Sequence, residues 1–327
     1  MNKIACGVYP TMITPFRDGN IDYNAVEQIV KYYADSGCAG IFAVCQSSEM
    51  NYLSLEERIN LAKAVTDYAE NYAGGRMNVV AGGHISASLK DQAYEINRLA
   101  ESGADIIVLV TNRLDIYNQG DDAWLKNMER LLSAVDPSIS LGLYECPTPY
   151  KRLLSRRLID WCVKSGRFSF FKDTCCDQNV LAERIEQTRN SNMMVFNANG
   201  QTLYQSLLCG AAGYSGILAN FIPEMLVWLN SNINDPDAEF ISELISMIAH
   251  TENDEYPVTG KYSLSLSGIN ITLESRKNNC SFLSDYRKEV IKQIYSLNRR
   301  FTDCFLRSGA QHGIGRFIGE HIERRYA

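Results

Sequence analysis

The chain has 327 residues, of which 46% are hydrophobic and 21% charged, an ordinary globular composition that argues against disorder. Lys and Arg number 32 against 38 Asp and Glu, so the net charge is −6, and no basic block offers a surface to nucleic acid. No apolar stretch approaches the roughly 18 residues of a membrane span, and the N-terminus lacks the apolar core of a signal peptide. We therefore expect a cytoplasmic protein without nucleic-acid or membrane partners.

Short apolar runs alternate with helical patterns through roughly the first 230 residues, as in proteins built from strand–helix units. Each run is almost continuously apolar, which is typical of parallel strands that are covered on both faces. The sequence predicts eight such strands, at 4–13, 39–45, 77–82, 105–111, 140–145, 168–172, 193–198 and 213–218.

The segments between these runs carry helix signals. Apolar residues across 26–33 recur with helical spacing and make one stripe. Ser54 and Glu57 have the spacing of a capping box, which predicts that a helix begins there. Glycines stand where four helices should end before the next strand, at Gly37, Gly103, Gly166 and Gly210.

Eight strand–helix units in succession match the α/β architecture of a (β/α)8 TIM barrel. A doubly wound open sheet gives the same alternation, but it usually carries a glycine-rich phosphate turn after its first strand. Here a plain turn follows, at 14–19. We therefore predict a catalytic barrel over 1–232 and a C-terminal helical domain and tail over 233–327.

Within this C-terminal part the alternation of strands and helices ends. Positions 237–251 and 284–306 have helical patterns. A polar stretch around 261–279 joins them.

The ten cysteines and four histidines indicate neither a disulfide framework nor a metal centre. No two cysteines form a C-x-x-C pair, and most lie in apolar runs, which is typical of reduced thiols in a cytosolic chain. The histidines are widely spaced and do not have the spacing of a zinc-binding motif. Nucleophile-elbow, phosphate-loop, dinucleotide and zinc-protease motifs are all missing, so no metal or organic cofactor is predicted.

Two residues at predicted strand ends have chemistry that suits a barrel enzyme, whose active site lies at the C-terminal ends of the strands. Lys172 closes an apolar run, where desolvation would lower the pKa of its amine and make it a nucleophile toward a carbonyl. Tyr144 lies near the end of the preceding strand, ~4.8 Å away, and its phenol could move a proton beside an iminium. From position alone, a lysine reaching the barrel rim and a tyrosine that only packs are the alternatives.

The loop after the second strand, 45–49, is a third candidate. It contains Gln46, Ser47 and Ser48, and its hydroxyls and successive backbone N–H groups suit a carboxylate. Serines that cap a helix would give the same pattern.

Taken together, these residues resemble the dihydrodipicolinate synthase / N-acetylneuraminate lyase superfamily of Schiff-base class I aldolases. The resemblance spans about residues 4–300 and rests on the order and spacing of short motifs. These motifs are Thr14-Pro15-Phe16, Ser47-Ser48-Glu49, Ala100-x-x-Gly103-Ala104-Asp105, Tyr144-x-x-Pro147, Lys172-Asp173-Thr174, Gly210-x-x-Gly213, and Tyr256-Pro257 with Lys261-Tyr262.

The resemblance implies a barrel with a helical C-terminal domain, assembled as a tetramer or dimer, that acts on a small 2-keto acid. It implies Lys172 as the Schiff-base lysine and Tyr144 as the proton-transfer tyrosine. It also implies that Ser47 binds the keto-acid carboxylate and that the Thr174 hydroxyl faces a substrate polyol. The full set of candidate substrate-binding residues is Gln46, Ser47, Ser48, Thr174, Asn199 and Ser215.

Several positions depart from the lysine-pathway synthase of this superfamily. Gln46 stands where the synthase has a hydroxyl residue of a proton relay. The relay's second tyrosine is missing from 111–114, although Tyr117 lies nearby. Pro149 occupies the position of the arginine that binds the semialdehyde carboxylate. The resemblance therefore favours the sugar-acid branches over 4-hydroxy-tetrahydrodipicolinate synthase.

The predicted function is a class I lyase that cleaves a 2-keto-3-deoxy sugar acid, or a substrate like N-acetylneuraminate, to pyruvate and an aldehyde. Three alternatives remain. The same lysine Schiff base could serve a dehydratase or hydratase-aldolase, or it could serve 4-hydroxy-tetrahydrodipicolinate synthase. The barrel could also bind a keto acid without turnover, because one fold hosts unrelated functions.

Overall fold

The computed structural model describes residues 4–72, 77–278 and 283–307, and its centre is a ring of parallel strands. Within the described residues the strands are β1 (Gly7–Val8), β2 (Phe16–Arg17), β3 (Asn20–Ile21), β4 (Gly40–Phe42), β5 (Asn78–Ala81), β6 (Ile106–Val110), β7 (Leu141–Tyr144), β8 (Phe168–Asp173), β9 (Met194–Asn197) and β10 (Gly213–Tyr214). Eight of them form one sheet in the order β1-β10-β9-β8-β7-β6-β5-β4. The Met12 amide donates to the Phe42 carbonyl at 3.0 Å and joins the two edges. The predicted (β/α)8 barrel is confirmed.

Each of the eight predicted runs matches one barrel strand. Seven strands are shorter than their runs, and β8 extends one residue beyond its run, to Asp173. The plain turn predicted at 14–19 is instead a small antiparallel hairpin of β2 and β3. Asp18 and Gly19 form its two-residue turn with φ of 53° and 79°. Asp-Gly is the dipeptide that favours this left-handed turn, so the signal was present in the sequence.

Helices follow the strands around the outside of the barrel. They are α1 (Tyr23–Asp35), α2 (Leu55–Asn71), α3 (Leu89–Ala100), α4 (Asp121–Leu132), α5 (Arg156–Ser165), α6 (Gln178–Thr188), α7 (Leu203–Leu208) and α8 (Pro223–Ser231). The predicted capping box begins α2, with Glu57 N–H donating to Ser54 Oγ at 3.2 Å and Ser54 N–H donating to Glu57 Oε2 at 2.8 Å. The four predicted helix-ending glycines all have positive φ, between 65° and 101°.

Aromatic rings fill the barrel interior. The ring centroids of Tyr9 and Phe196 lie 4.8 Å apart, and those of Phe170 and Phe196 lie 4.7 Å apart. Phe42 packs edge-on against Phe170 at 5.9 Å. Tyr9 fits because its neighbour is Gly40, where a Cβ would lie 2.2 Å from the tyrosine ring. The barrel interior below the strand ends is therefore largely apolar, and a charged group placed on it is poorly solvated.

The C-terminal part contains α9 (Ala238–Ala249), α10 (Val258–Leu266) and α11 (Asp285–Phe301), followed by a π-helical turn, Thr302–Arg307. The two predicted helices are confirmed as α9 and α11. Helix α10, which overlaps the polar stretch around 261–279, was not predicted from the sequence. The sequence pattern of this helix was not recognised, because Lys261 places a charged residue on its buried face and interrupts the apolar spacing. Its Nζ lies 2.9 Å from Glu49 Oε1, and both side chains are fully buried.

No helix in the described ranges is both long and apolar enough to cross a membrane. The nine cysteines within those ranges are all free thiols, and Cys280 lies outside them. Five of the nine are buried, whereas Cys6 and Cys176 are exposed. The expectation of buried thiols therefore holds for most of them and fails for these two.

Candidate active site

A cavity of about 270 Å³ opens at the C-terminal ends of the barrel strands. Its walls come from strand ends, from the loop after β4 and from the segment between α9 and α10. The lining residues are Gln46, Ser47, Tyr144, Pro147, Lys172, Thr174, Cys176, Ala198, Asn199, Gly216, Ile217, Glu252, Asn253, Tyr256, Pro257 and Lys277.

Lys172 reaches this cavity from β8 across the aromatic floor. It pairs in register with Tyr144 of β7, and its Nζ lies 4.5 Å from the centre of the Tyr144 ring and 5.5 Å from that of Phe42. Only 4% of the residue is exposed. Burial lowers the pKa of the Lys172 amine to about 8. Roughly a tenth of the amine is therefore unprotonated at pH 7, far more than for an ordinary lysine, and this fraction is able to attack a carbonyl.

The neighbouring carboxylate of Asp173 does not neutralise this lysine. Successive residues of a strand point to opposite faces, so Asp173 lies on the outer side of the barrel wall. There it forms a buried ion pair with Arg184, which also lies 3.0 Å from Glu145 Oε1. Arg184 thus holds both carboxylates behind the wall, and no described carboxylate forms an ion pair with Lys172.

Tyr144 lies beside the lysine with its hydroxyl directed at the loop after β4. The phenol donates to Gln46 Oε1 at 3.3 Å. Burial raises the pKa of Tyr144 well above its usual value, so the phenol keeps its proton at neutral pH. The arrangement supplies a proton donor next to the amine.

Gln46 fixes the surroundings of this phenol. Its Oε1 also accepts from the Cys146 thiol at 3.4 Å, and its Nε2 donates to Thr148 Oγ1 at 2.9 Å. A side-chain amide orients its partners but does not pass protons on as a hydroxyl can. Where the synthase has a hydroxyl residue that could pass a proton on, Gln46 can therefore only orient the groups that it contacts.

The two serines of this loop have different surroundings. Ser47 lines the cavity, donates to Thr11 Oγ1 at 3.0 Å and hydrogen-bonds with the buried Tyr256 hydroxyl. Ser48 lies behind the cavity wall, where its hydroxyl is within hydrogen-bond distance of the Met12 and Ala43 carbonyls and accepts from the Cys45 backbone N–H at 3.1 Å. Ser48 is thus not brought to the cavity, because its hydroxyl is needed to satisfy backbone groups inside the barrel.

The remaining candidates are also divided. Thr174 lines the cavity, and its Oγ1 donates to the Glu145 carbonyl at 2.8 Å. Asn199 lines it too, with its Oδ1 accepting from Thr202 and its Nδ2 donating to Gln201. Ser215 is fully buried and is not among the lining residues, and its hydroxyl has no hydrogen-bond partner.

The C-terminal part brings residues to the cavity that the sequence interpretation did not select. Glu252, Tyr256 and Lys277 all line it. Tyr256 appeared there only as a family motif, and no local pattern separates Glu252 from the other acidic residues of its loop. Tyr117, considered as a relay tyrosine, is 79% exposed and does not line the cavity of its own chain.

Glu49 explains how this distant segment is held at the barrel mouth. Its Oε1 pairs with Lys261 of α10, and its Oε2 accepts from the backbone amides of Arg276 at 2.7 Å and Lys277 at 2.8 Å. The loop that carries Gln46 and the segment that carries Lys277 therefore share one buried carboxylate. Among the described residues, no group of three or more His, Cys, Asp or Glu side chains is placed to hold a metal ion.

A (β/α)8 barrel with a desolvated lysine beside a protonated phenol contains the groups that a lyase acting through a lysine Schiff base requires. The chain belongs to the dihydrodipicolinate synthetase family, whose profile matches residues 5–296. The superfamily resemblance and the predicted class, a Schiff-base-forming lyase of the aldolase type, are confirmed.

Individual relatives agree on the fold and carry different names. The 4-hydroxy-tetrahydrodipicolinate synthase of a Hydrogenobaculum species is 25% identical over 299 residues, 88% of this chain and 98% of that protein. The sialic acid aldolase of Ruminococcus gnavus has a TM-score of 0.79 at 20% identity, covering 92% of this chain and 99% of that one. A prophage protein of E. coli K12, solved in complex with pyruvate, has a TM-score of 0.77 at 21% identity, covering 90% of this chain and 98% of that one.

Proposed function

We propose that this protein cleaves a 2-keto-3-deoxy sugar acid, or a substrate like N-acetylneuraminate, to pyruvate and an aldehyde through a Schiff base on Lys172. The observation that carries the proposal is the state of this lysine. It is 4% exposed, it faces a cavity, it lies beside a phenol, and no described carboxylate forms an ion pair with it. A weakly basic, accessible amine is the group that a carbonyl substrate requires.

The reaction begins when the unprotonated Lys172 amine attacks the C2 carbonyl and forms a carbinolamine. Tyr144 gives its proton to the departing hydroxyl, water leaves, and an iminium remains beside the phenolate. The iminium stabilises this phenolate, which burial alone would disfavour.

The phenolate then removes the proton of the C4 hydroxyl. The C3–C4 bond breaks, its electron pair moves into the iminium to give an enamine, and an aldehyde is released. Tyr144 passes this proton to C3 of the enamine, which becomes an iminium again. Water adds to that iminium and gives a proton to the phenolate, and collapse of the carbinolamine returns pyruvate and the free lysine. Each proton that Tyr144 donates is thus regained, first from the substrate hydroxyl and then from water.

We assign the keto-acid carboxylate to the loop after β4. Ser47 lines the cavity beside Tyr256, and the successive amides of such a loop suit an anion. Thr174 and Asn199 line the part of the cavity left for the aldehyde half.

A second candidate, 4-hydroxy-tetrahydrodipicolinate synthase, is favoured by the names of relatives such as the Hydrogenobaculum protein. The geometry gives it less support. Gln46 interrupts the hydroxyl relay, Pro149 offers no cation to a semialdehyde carboxylate, and Tyr117 points to solvent.

A panel assay of pyruvate release and consumption tests these candidates together. The proposal predicts release of pyruvate from a 2-keto-3-deoxy sugar acid or from N-acetylneuraminate. Loss of water with an intact carbon chain would identify a dehydratase instead. Consumption of pyruvate only with aspartate semialdehyde would identify the synthase. Binding of a keto acid that survives replacement of Lys172, without any turnover, would identify a non-catalytic barrel.

We further propose that the protein works as a homo-oligomer, a tetramer or a dimer, in the cytoplasm. Tyr117 is 79% exposed in the single chain, and contact with a second subunit would bury it. Light scattering of the purified protein measures the assembly, and a monomeric mass would contradict it.

A further inference from the structure

Glu252 is a carboxylate in the wall of the cavity whose hydrogen bonding is incomplete. It lies in the loop between α9 and α10 and is 9% exposed. The backbone N–H of Leu218 lies near its carboxylate but donates to the Tyr214 hydroxyl at 3.2 Å, and Glu252 Oε2 is buried without a partner among the described residues. Leaving such an acceptor unsatisfied is costly, so native proteins rarely do it without a functional reason. Its position in the cavity indicates that a bound ligand supplies the missing donor.

The charges around Glu252 do not supply that donor. No described lysine, arginine or histidine forms an ion pair with it. Burial raises the pKa of Glu252 to about 7, although the positive charge of Lys172 acts in the opposite direction. Once Lys172 is part of a neutral carbinolamine or enamine, that counter-charge is lost. A hydrogen-bond donor on the ligand would then stabilise the ionised carboxylate.

Other polar groups facing the same region are already engaged. The Thr174 hydroxyl donates to the Glu145 carbonyl, and the Asn199 amide bonds with Thr202 and Gln201. Glu252 is therefore the strongest unengaged acceptor among the described lining residues.

Resting on the proposed function, we propose that Glu252 determines substrate specificity by accepting hydrogen bonds from hydroxyl groups on the aldehyde half of the substrate. Lys172 fixes C2 and the loop after β4 takes the carboxylate, so the aldehyde half extends toward the remaining wall. A substrate hydroxyl at this wall donates to Oε2 of Glu252, whereas an alkyl chain leaves Oε2 without a partner. A carboxylate on the substrate is repelled by the Glu252 charge. The substrate class is thus a keto acid with a hydroxylated, uncharged tail.

The wild-type protein alone provides a first test, in the direction of aldol addition to pyruvate at about pH 8.5, above the raised pKa of about 7 of Glu252. Three aldehydes are compared: glyceraldehyde, propionaldehyde, which has the same carbon chain without hydroxyls, and succinic semialdehyde, which carries a carboxylate. We expect kcat/KM for glyceraldehyde to exceed both others by about tenfold or more, the effect of one hydrogen bond to a charged group. Equal or better use of succinic semialdehyde would overturn the inference.

Variants of Glu252 form the second test. Glu252→Gln removes the charge and keeps an acceptor, and we expect it to raise the succinic semialdehyde to glyceraldehyde ratio of kcat/KM by about tenfold. Glu252→Asp keeps the charge and shortens the reach, so it should still reject succinic semialdehyde while raising KM for glyceraldehyde. The matched control is Glu243→Gln, the same change at an exposed position of α9. A ratio in Glu252→Gln equal to that of this control would refute the role.

The outcomes separate this inference from the function on which it rests. Borohydride trapping of wild-type protein with pyruvate reports the Schiff base independently of any aldehyde. Absence of an adduct overturns both proposals. An adduct with an aldehyde preference that ignores Glu252 overturns only this one.

Discussion

Two lysines are buried in the described part of the chain, and they differ in what faces their ammonium groups. Lys261 is fully buried and paired with Glu49 Oε1 at 2.9 Å, and it also contacts the Glu274 carbonyl. Lys172 is almost as buried, but aromatic rings surround it and no described carboxylate forms an ion pair with it.

The comparison teaches that burial alone does not decide what a lysine does. At Lys261 the attraction of Glu49 offsets the cost of desolvation, and the pair ties α10 to the loop after β4. At Lys172 the cost is not offset, so the pKa of the amine falls and the neutral nucleophile becomes available. Lys261 ties two segments of the cavity wall together, and Lys172 is the proposed nucleophile.

Replacing Lys172 should have the largest effect. Lys172→Met should abolish the pyruvate adduct and all turnover, because no other described amine is both buried and unpaired. Its melting temperature should stay equal or rise, since an uncompensated buried amine is replaced by an apolar side chain of similar volume. Pyruvate release and calorimetry measure the two effects, and retained turnover would remove Lys172 from the mechanism.

Replacing the Tyr144 phenol should separate the role of the proton donor from that of the nucleophile. Tyr144→Phe should lower kcat for cleavage by about 10²–10⁴, the usual contribution of a positioned acid or base. The pyruvate adduct should still form, more slowly, because the amine remains. Steady-state kinetics and trapping on the same sample check this, and an unchanged kcat would contradict the proton-transfer role.

Replacing the structural lysine should produce the opposite pattern. Lys261→Met leaves Glu49 buried without its partner, and we expect a loss of about 3–5 kcal/mol in the free energy of unfolding. Urea titration measures this loss. Combining the change with Glu49→Gln should recover part of it. A variant as stable as the wild type would mean that the ion pair does not hold α10 in place.

The pH dependence gives the smallest predicted effect and reports directly on Lys172. Because the neutral amine attacks, the rate of Schiff-base formation should rise with pH, about tenfold per unit below the pKa. The rise should level off above about 8, the lowered pKa of this lysine. Single-turnover trapping across pH checks this, and a rise that continues toward the usual lysine pKa would contradict desolvation.

The barrel was predictable because its signal is local and repeated. Eight apolar runs separated by helical stripes leave few alternatives, and Lys172 and Tyr144 stand out because each lies near the end of such a run. Their pairing follows from the register of adjacent strands. The domain boundary near residue 232 stays a prediction.

What could not be predicted depends on contacts between distant segments. Helix α10 was hidden because the partner of Lys261 lies 212 residues away in the chain. Ser48 and Ser47 are adjacent and chemically alike, yet only the three-dimensional packing turns one to the cavity and the other to backbone carbonyls. Glu252 reaches the site from the C-terminal part, and no motif marks it.

The most direct test of the account is borohydride reduction of the wild-type protein with pyruvate, followed by peptide mapping of the modified lysine. The account predicts one adduct per chain, on Lys172, with Lys261 unmodified. An adduct on another lysine, or none at all, would contradict the claim that an unpaired buried lysine is the nucleophile of this enzyme.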